Sequence, residues 1–173
     1  MEHMLLDCHS TGQRIIWNLA KRLCVKTREV WPDLNVGIIL GCGLTEYMTS
    51  DRKPDKGKRR LFKILISESA YLIWKIRCEW RIEHNAHPDK KITDSVRLDH
   101  TDHEVRNRWI KMISDRIHMD ILCSDGRRYK KKAIASSIVQ KVWGKILRAE
   151  KVCGLSLEEI SGVLVGIRDW WPP

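Results

Sequence analysis

No two cysteines of this 173-residue chain form a Cys-x-x-Cys pair, although six are present, at positions 8, 24, 42, 78, 123 and 153. Thiols scattered in this way point to free cysteines in a reducing compartment rather than to a disulfide framework. Residues 1–16 lack a basic stretch followed by an apolar one, so no secretory leader is expected. No uninterrupted apolar run approaches the length needed to cross a bilayer, and the expected setting is the nucleus or cytoplasm. Catalytic signatures are missing too: there is no P-loop, no G-x-S-x-G and no H-E-x-x-H. His103-Glu104 begins the last of these, but Val105-Arg106-Asn107 supplies no second histidine. Neither an enzyme active site nor a small-molecule substrate is legible. Alternating strand-like text is scarce, and no repeat of fixed period is present.

What remains is helical and basic. The periodicity predicts a mainly α fold, an irregular bundle of four to six helices. Ile15, Ile16, Leu19 and Leu23 form the stripe of a first helix, capped by Ser10 or Thr11 and stopped near Trp31-Pro32. The run NVGIILGCGL is short enough to be a strand or a buried helical turn. The strongest element is RRLFKILISESAYLIWKIRCEWRIEHN. Leu61, Leu65, Leu72, Ile76 and Trp80 trace one face, and Phe62, Ile64, Ile66, Ile73 and Trp74 widen it, as in a central helix. Lys75 and Glu79 are spaced for an i,i+4 pair on its surface. A polar loop is expected at about 85–100. Thr101 and Glu104 then form a capping box before Val105, Trp109, Met112, Ile113, Ile117 and Ile121, with a turn at Ser124-Asp125-Gly126. A further helix runs from about Lys132 to Glu150, and Ser156 opens a second capping-box pattern.

Aromatic residues are skewed: eight Trp against three Tyr and one Phe. Trp17, Trp74, Trp80, Trp109 and Trp143 fall in helical segments, where core packing is the expected role for most of them. The formal net charge is +10, from 32 Lys and Arg against 22 Asp and Glu. An excess of this size attracts polyanions, with nucleic acid foremost. Two clusters concentrate it. One is Arg52, Lys53, Lys56, Lys58, Arg59, Arg60 and Lys63; the other is Arg127, Arg128, Tyr129, Lys130, Lys131 and Lys132. Both lie where a loop opens a helix, and cations there oppose the helix dipole. Long cationic side chains at these places reach phosphates, and Tyr129 offers a ring for a base. A solvated, solubilising surface is the competing account, which would leave a helical protein-interaction or structural module.

Metal chemistry has weaker support. His84/His87 and His100/His103 flank the polar loop, but their spacing matches no metal motif, and exposed loop histidines are expected. Glu68, Asp99 and Asp102 are not spaced as a two-metal cluster; Glu68, between Ser67 and Ser69 on the central helix, reads as a partly buried acid that Arg or Ser partners would make structural. His3 and Cys8 form a His-x4-Cys pair, half of a zinc pattern whose Cys-x-x-Cys half is missing.

The wording of the chain also resembles a family. GQRIIWNLAKRL, RRLFKILISESAYLIWKIRCEWRI, EVRNRWIKMISDRI and SGVLVGI together resemble the C-terminal region of non-LTR retroelement polyproteins of mushroom-forming fungi. Those polyproteins carry reverse transcriptase and type-1 RNase H domains. The resemblance spans nearly the whole chain and implies a non-catalytic tail whose enzymatic domains lie upstream. It also implies a reverse-transcriptase-associated zinc module reading Cys-x-x-Cys, an acid, His-x4-Cys and a Trp. Glu2, His3, Cys8 and Trp17 match its second half. On that basis residues 1–9 are the remnant of the zinc module, and residues 10–173 are one α-helical domain. Two ligands do not close a tetrahedral site, so no cofactor is expected unless upstream ligands complete a zinc site.

Overall fold

The computed structural model describes residues 2–7, 11–27, 29–86, 100–153, 155 and 159–160. Among them run six α-helices and no strand: α1 Thr11–Lys26, α2 Val36–Gly41, α3 Lys56–Ala86, α4 Asp102–Cys123, α5 Gly126–Tyr129 and α6 Ser136–Leu147. A π-helical turn, His3–Asp7, precedes α1, and a 3-10 turn, Lys130–Lys132, links α5 to α6. The fold is mainly α, an irregular bundle, as the periodicity predicts. The glycine-broken run folds as α2, with the Asn35 side chain accepting from the Ile38 amide. Cys8, Ser10, His87, Asp99 and Ser156 lie outside the described residues, as does most of the expected loop.

α3 occupies the middle of the bundle and packs against α1, α4 and α6. Leu61, Phe62, Ile64, Leu65, Ile66, Leu72 and Ile73 are all buried. Each such side chain contributes on the order of 1.5–3 kcal/mol by leaving water. α1 sets Ile15, Ile16, Leu19 and Leu23 against this face, and α4 adds Val105, Trp109, Ile113 and Ile117. Trp74 departs from expectation: it is 48 % exposed, on the side of α3 away from the core. The Lys75–Glu79 expectation also changes, because Glu79 turns to α4 and accepts from Arg108 Nη2 at 2.7 Å. The Thr101 hydroxyl caps the Glu104 amide at 3.2 Å, while the Glu104 carboxylate bonds His100 Nδ1 at 2.8 Å.

Residues 3–7 are not set apart from the helices. Leu5 is buried in the common core. Its carbonyl accepts from Trp17 Nε1 at 2.7 Å and Gln13 Nε2 at 2.9 Å, and the Leu6 carbonyl accepts from Gln13 at 2.8 Å. A π-helical turn leaves carbonyls without partners of its own, and two α1 side chains supply the donors.

Three indole N–H groups would be unsatisfied in this core without built partners. Trp17 uses Leu5, Trp109 donates to Ser69 Oγ at 3.1 Å, and Trp143 donates to Asp120 Oδ2 at 3.1 Å. Asp120 is 2 % exposed and also receives Arg60: Nε to Oδ2 at 3.0 Å and Nη2 to Oδ1 at 2.6 Å. Arg116 stands 3.7 Å from the same carboxylate. One side chain of α4 thus fastens α3 and α6. Asp120→Ala strands a half-buried guanidinium and an indole donor, and a loss of about 3–5 kcal/mol is expected in urea unfolding. Arg60→Ala should couple strongly to it in a double-mutant cycle, the pair costing well under the sum of the singles.

Cys24, buried on α1, carries a second, pH-dependent contribution. Burial, reinforced by Glu29, pushes its thiol from the usual 9.0 up to about 11. The unfolded thiol therefore ionises first, and stability falls as pH rises from 9 to 11. Tyr47, raised by burial, adds the same sign; Lys26, lowered by burial, adds the opposite. Unfolding of wild type and Cys24→Ala between these pH values should show the smaller alkaline loss in the variant.

Candidate functional site

Both basic clusters emerge at one end of the bundle, and the Arg60–Asp120 contact is the reason. Arg60 lies in the second turn of α3, while Asp120 lies in the last turn of α4, three residues before that helix ends at Cys123. Joining them sets the start of α3 beside the end of α4. The second cluster begins four residues beyond Cys123, on α5. Gly57 draws α6 to the same place, since a Cβ there would stand 2.8 Å from Lys141 Cβ.

The first cluster divides by role. Arg60 is committed to Asp120, whose hydrogen bond, outweighing burial, holds the guanidinium still more firmly protonated. Lys58 pairs with Glu29 at 2.7 Å, and that bond raises its pKa. Arg59 reaches the Gly43 carbonyl at 3.0 Å yet keeps an exposed side chain. Arg52, Lys53, Lys56 and Lys63 are exposed. A tight turn presents the first two: the Thr49 amide donates to the Lys53 carbonyl at 2.8 Å, and the Arg52 amide to the Thr49 carbonyl at 2.9 Å.

The second cluster is nearly all surface. Asp125 caps it, accepting from the Arg127 and Arg128 amides at 2.8 and 3.4 Å. Arg127, Arg128, Lys130, Lys131 and Lys132 are exposed; Tyr129 is partly buried, with the Arg128 guanidinium 5.7 Å over its ring. Lys130 has φ 48° and ψ −125°, a conformation that only glycine adopts readily. Arg52, at φ 57°, likewise places a cation in the left-handed region.

Between the start of α3, with the turn before it, and α6 lies an open groove of about 660 Å³, bounded by Thr49, Ser50, Gly57, Lys58, Lys141 and Lys145. Asp55, also on its wall, caps the Gly57 and Lys58 amides at 3.0 Å each, and Glu29 is held by Lys58. With both acids engaged, Lys141 and Lys145 set the sign of the groove. Sequence reasoning passed over these two because they interrupt the apolar pattern of α6 singly rather than as a run. Lys26, beside the groove-lining Thr27, has its pKa lowered, by burial first and then by the charge of Arg148.

Among the described residues the metal-ligand candidates are not brought together. His3 is exposed on the π-helical turn, and Cys8 lies outside the described residues. No group of three potential ligands occurs among the described residues. His100 is part of a polar network with Glu79, Glu104 and Arg108, and His103 contacts Asn107 at 3.1 Å. Glu68 stands 4.0 Å from Arg116, a neighbour of the kind that makes it structural. No helix among the described residues is long and apolar enough to cross a membrane. Comparison of the chain with protein-family models, curated proteins and solved structures finds no match to any of them.

The strain at Lys130 is directly measurable. Lys130→Gly relieves an unfavourable backbone and one repulsive charge, and a gain of about 1 kcal/mol in unfolding free energy is expected. The same change at Lys131, where no positive φ occurs, should give no such gain.

Proposed function

We propose that this chain is a non-catalytic, nucleic-acid-binding helical module of a retroelement-derived protein acting in the nucleus or cytoplasm. The observation carrying this reading is the convergence of two exposed cationic clusters on one end of the bundle. Arg52, Lys53, Lys56, Arg59 and Lys63 reach out from the start of α3 and its preceding turn. Arg127, Arg128, Lys130, Lys131 and Lys132 do so from beyond α4, with the Tyr129 ring among them. Arg60 and Lys58 keep a supporting role, since their charges are matched inside the protein. Cations held this densely, with the groove's acids already engaged, suit a polyphosphate backbone, which gains affinity by releasing condensed counterions. Backbone strain kept at Lys130 supports a use for that residue beyond folding.

A protein-interaction role is the second reading, favoured by apolar side chains left in water around α2. Val30 is 90 % exposed, Leu44 82 % and Leu40 69 %. Both readings are compatible with a helical tail that serves enzymatic domains elsewhere in a polyprotein.

Fluorescence anisotropy with duplex DNA and single-stranded RNA tests the proposal. Binding is expected at about 50 mM salt, weakening by a factor of about a thousand near 200 mM. Changing Arg127, Arg128, Lys130, Lys131 and Lys132 to Gln should lower affinity and flatten that salt dependence. No binding at low salt would sink the nucleic-acid reading. The retroelement origin has its own test in the genomic sequence upstream of Met1, where a continuous frame encoding Cys-x-x-Cys and an RNase H domain is expected.

A further inference from the structure

α3 carries two different functional faces. Its core side is apolar, as described, while the opposite side repeats another chemistry at helical spacing. Lys56, Arg59, Lys63, Trp74, Arg77 and Arg81 are separated by steps that sum to threes and fours. On a helix of 3.6 residues per turn they fall within an arc of about 80°. All are exposed except Arg77, which is partly buried with its guanidinium 4.4 Å over the Trp80 ring. The other positions on the arc are Ser67 and Ala70, both small. From Lys56 to Arg81 the row extends about 37 Å at 1.5 Å per residue.

Two observations give this row a ligand. The first concerns its acids. Glu68 and Glu79 sit about 150° round the helix from this row. Glu79 is held by Arg108 and His100, and Glu68 faces Arg116. Among the described residues the outer arc therefore carries cations at both ends, Lys56, Arg59 and Lys63 at one and Arg77 and Arg81 at the other, and no acid. The second concerns its middle. Tyr71, at the edge of the arc, lies beside Trp74 with ring centroids 5.9 Å apart and planes tilted by 31°. Tyr71 is 54 % exposed, so this pair of rings opens to solvent between cations on either side. A row of simple solubilising residues has no use for an exposed indole and phenol at its centre.

We propose that the outer face of α3 is a track for single-stranded nucleic acid. Phosphates lie along the Lys56–Lys63 and Arg77–Arg81 cations, and one or two bases stack on the Tyr71–Trp74 rings. The inference rests on the nucleic-acid reading above and specifies its form. Duplex DNA hides its π-faces in its own stack, whereas an unpaired strand presents them to aromatic side chains. The groove and loop clusters at the start of α3 bind either form through phosphate. The track adds a preference for the unpaired one.

The test uses the full chain and a labelled single-stranded oligonucleotide beside its duplex, with anisotropy as readout. Tyr71→Ala with Trp74→Ala should lower single-strand affinity about ten-fold or more, by loss of stacking, and leave duplex affinity unchanged. Tyr71→Phe with Trp74→Phe should retain single-strand binding, which separates stacking from any general damage to α3. Arg77→Gln with Arg81→Gln should reduce the single-strand salt slope by about 1.4, the value for two lost phosphate contacts. Unchanged single-strand affinity in the alanine variant overturns the track. So does a polyglutamate peptide competing as well as the oligonucleotide, which would show that the face answers to charge alone or takes an acidic helix. If loop substitutions weaken binding while the α3 variants do not, only the track falls. If the wild-type chain binds no nucleic acid, the track falls together with the reading beneath it.

Discussion

A single buried carboxylate governs the arrangement of this bundle. Asp120 leaves water almost completely, which is unfavourable unless every lone pair finds a donor. Arg60 supplies two, and the Trp143 indole supplies a third. Those donors belong to α3 and α6, so the requirement of one side chain dictates where two other helices cross α4. An apolar residue of similar volume would fill the space at comparable stability, but without directionality. The hydrogen bonds instead select one register among the several that apolar stripes alone would tolerate. Trp109 on Ser69 and Trp17 on the Leu5 carbonyl apply the same rule elsewhere in the core.

That register has an electrostatic result. Glu68 and Glu79 of α3 turn to arginines of α4, while near the start of α3 Glu29 is taken by Lys58 and Asp55 by helix capping. The positive excess of the composition is thus sorted rather than spread. It gathers on the turn before α3, on α5 and the 3-10 turn, on the outer arc of α3, and on the exposed lysines of α6. Exposed ion pairs contribute little to stability individually. Here their larger effect is to remove negative charge from faces where cations remain unmatched.

The sequence made the helices legible because strong 3.6-residue periodicity survives tertiary packing. α4 begins after Thr101 and ends before the Ser124-Asp125-Gly126 turn; of its stripe Val105, Trp109, Ile113 and Ile117 are buried and Met112 and Ile121 partly so, while Ile110, Ser114 and Asp120 are buried without having belonged to it. Shorter elements were less readable. α2 could not be told from a strand over so few residues, and α5 with its 3-10 turn was hidden in a run of charges. At the candidate site, the clusters were visible as composition, but the division of labour within them was not. Nothing local distinguishes Arg60 from Arg59; the difference is Asp120, sixty residues away in the chain. Trp74 was misplaced for a related reason. On a helix rich in apolar residues around most of its girth, which face meets the core depends on where α1 and α4 lie. The π-helical turn at His3–Asp7 joined the core through backbone carbonyls, which leave no trace in a pattern of side chains.

The 3-10 turn at Lys130–Lys132 has a consequence for the thermodynamics of the free protein. Three ammonium groups on consecutive residues of a tight turn, with Arg127 and Arg128 just before them, repel one another more when folded than in an extended chain. Folding therefore concentrates positive charge at this corner, and dissolved counterions relieve the repulsion. The protein should then melt at a higher temperature as ionic strength rises, opposite to the trend of a fold held by exposed ion pairs. A bound polyanion would do locally what bulk salt does generally, so its arrival would tighten the corner that received it.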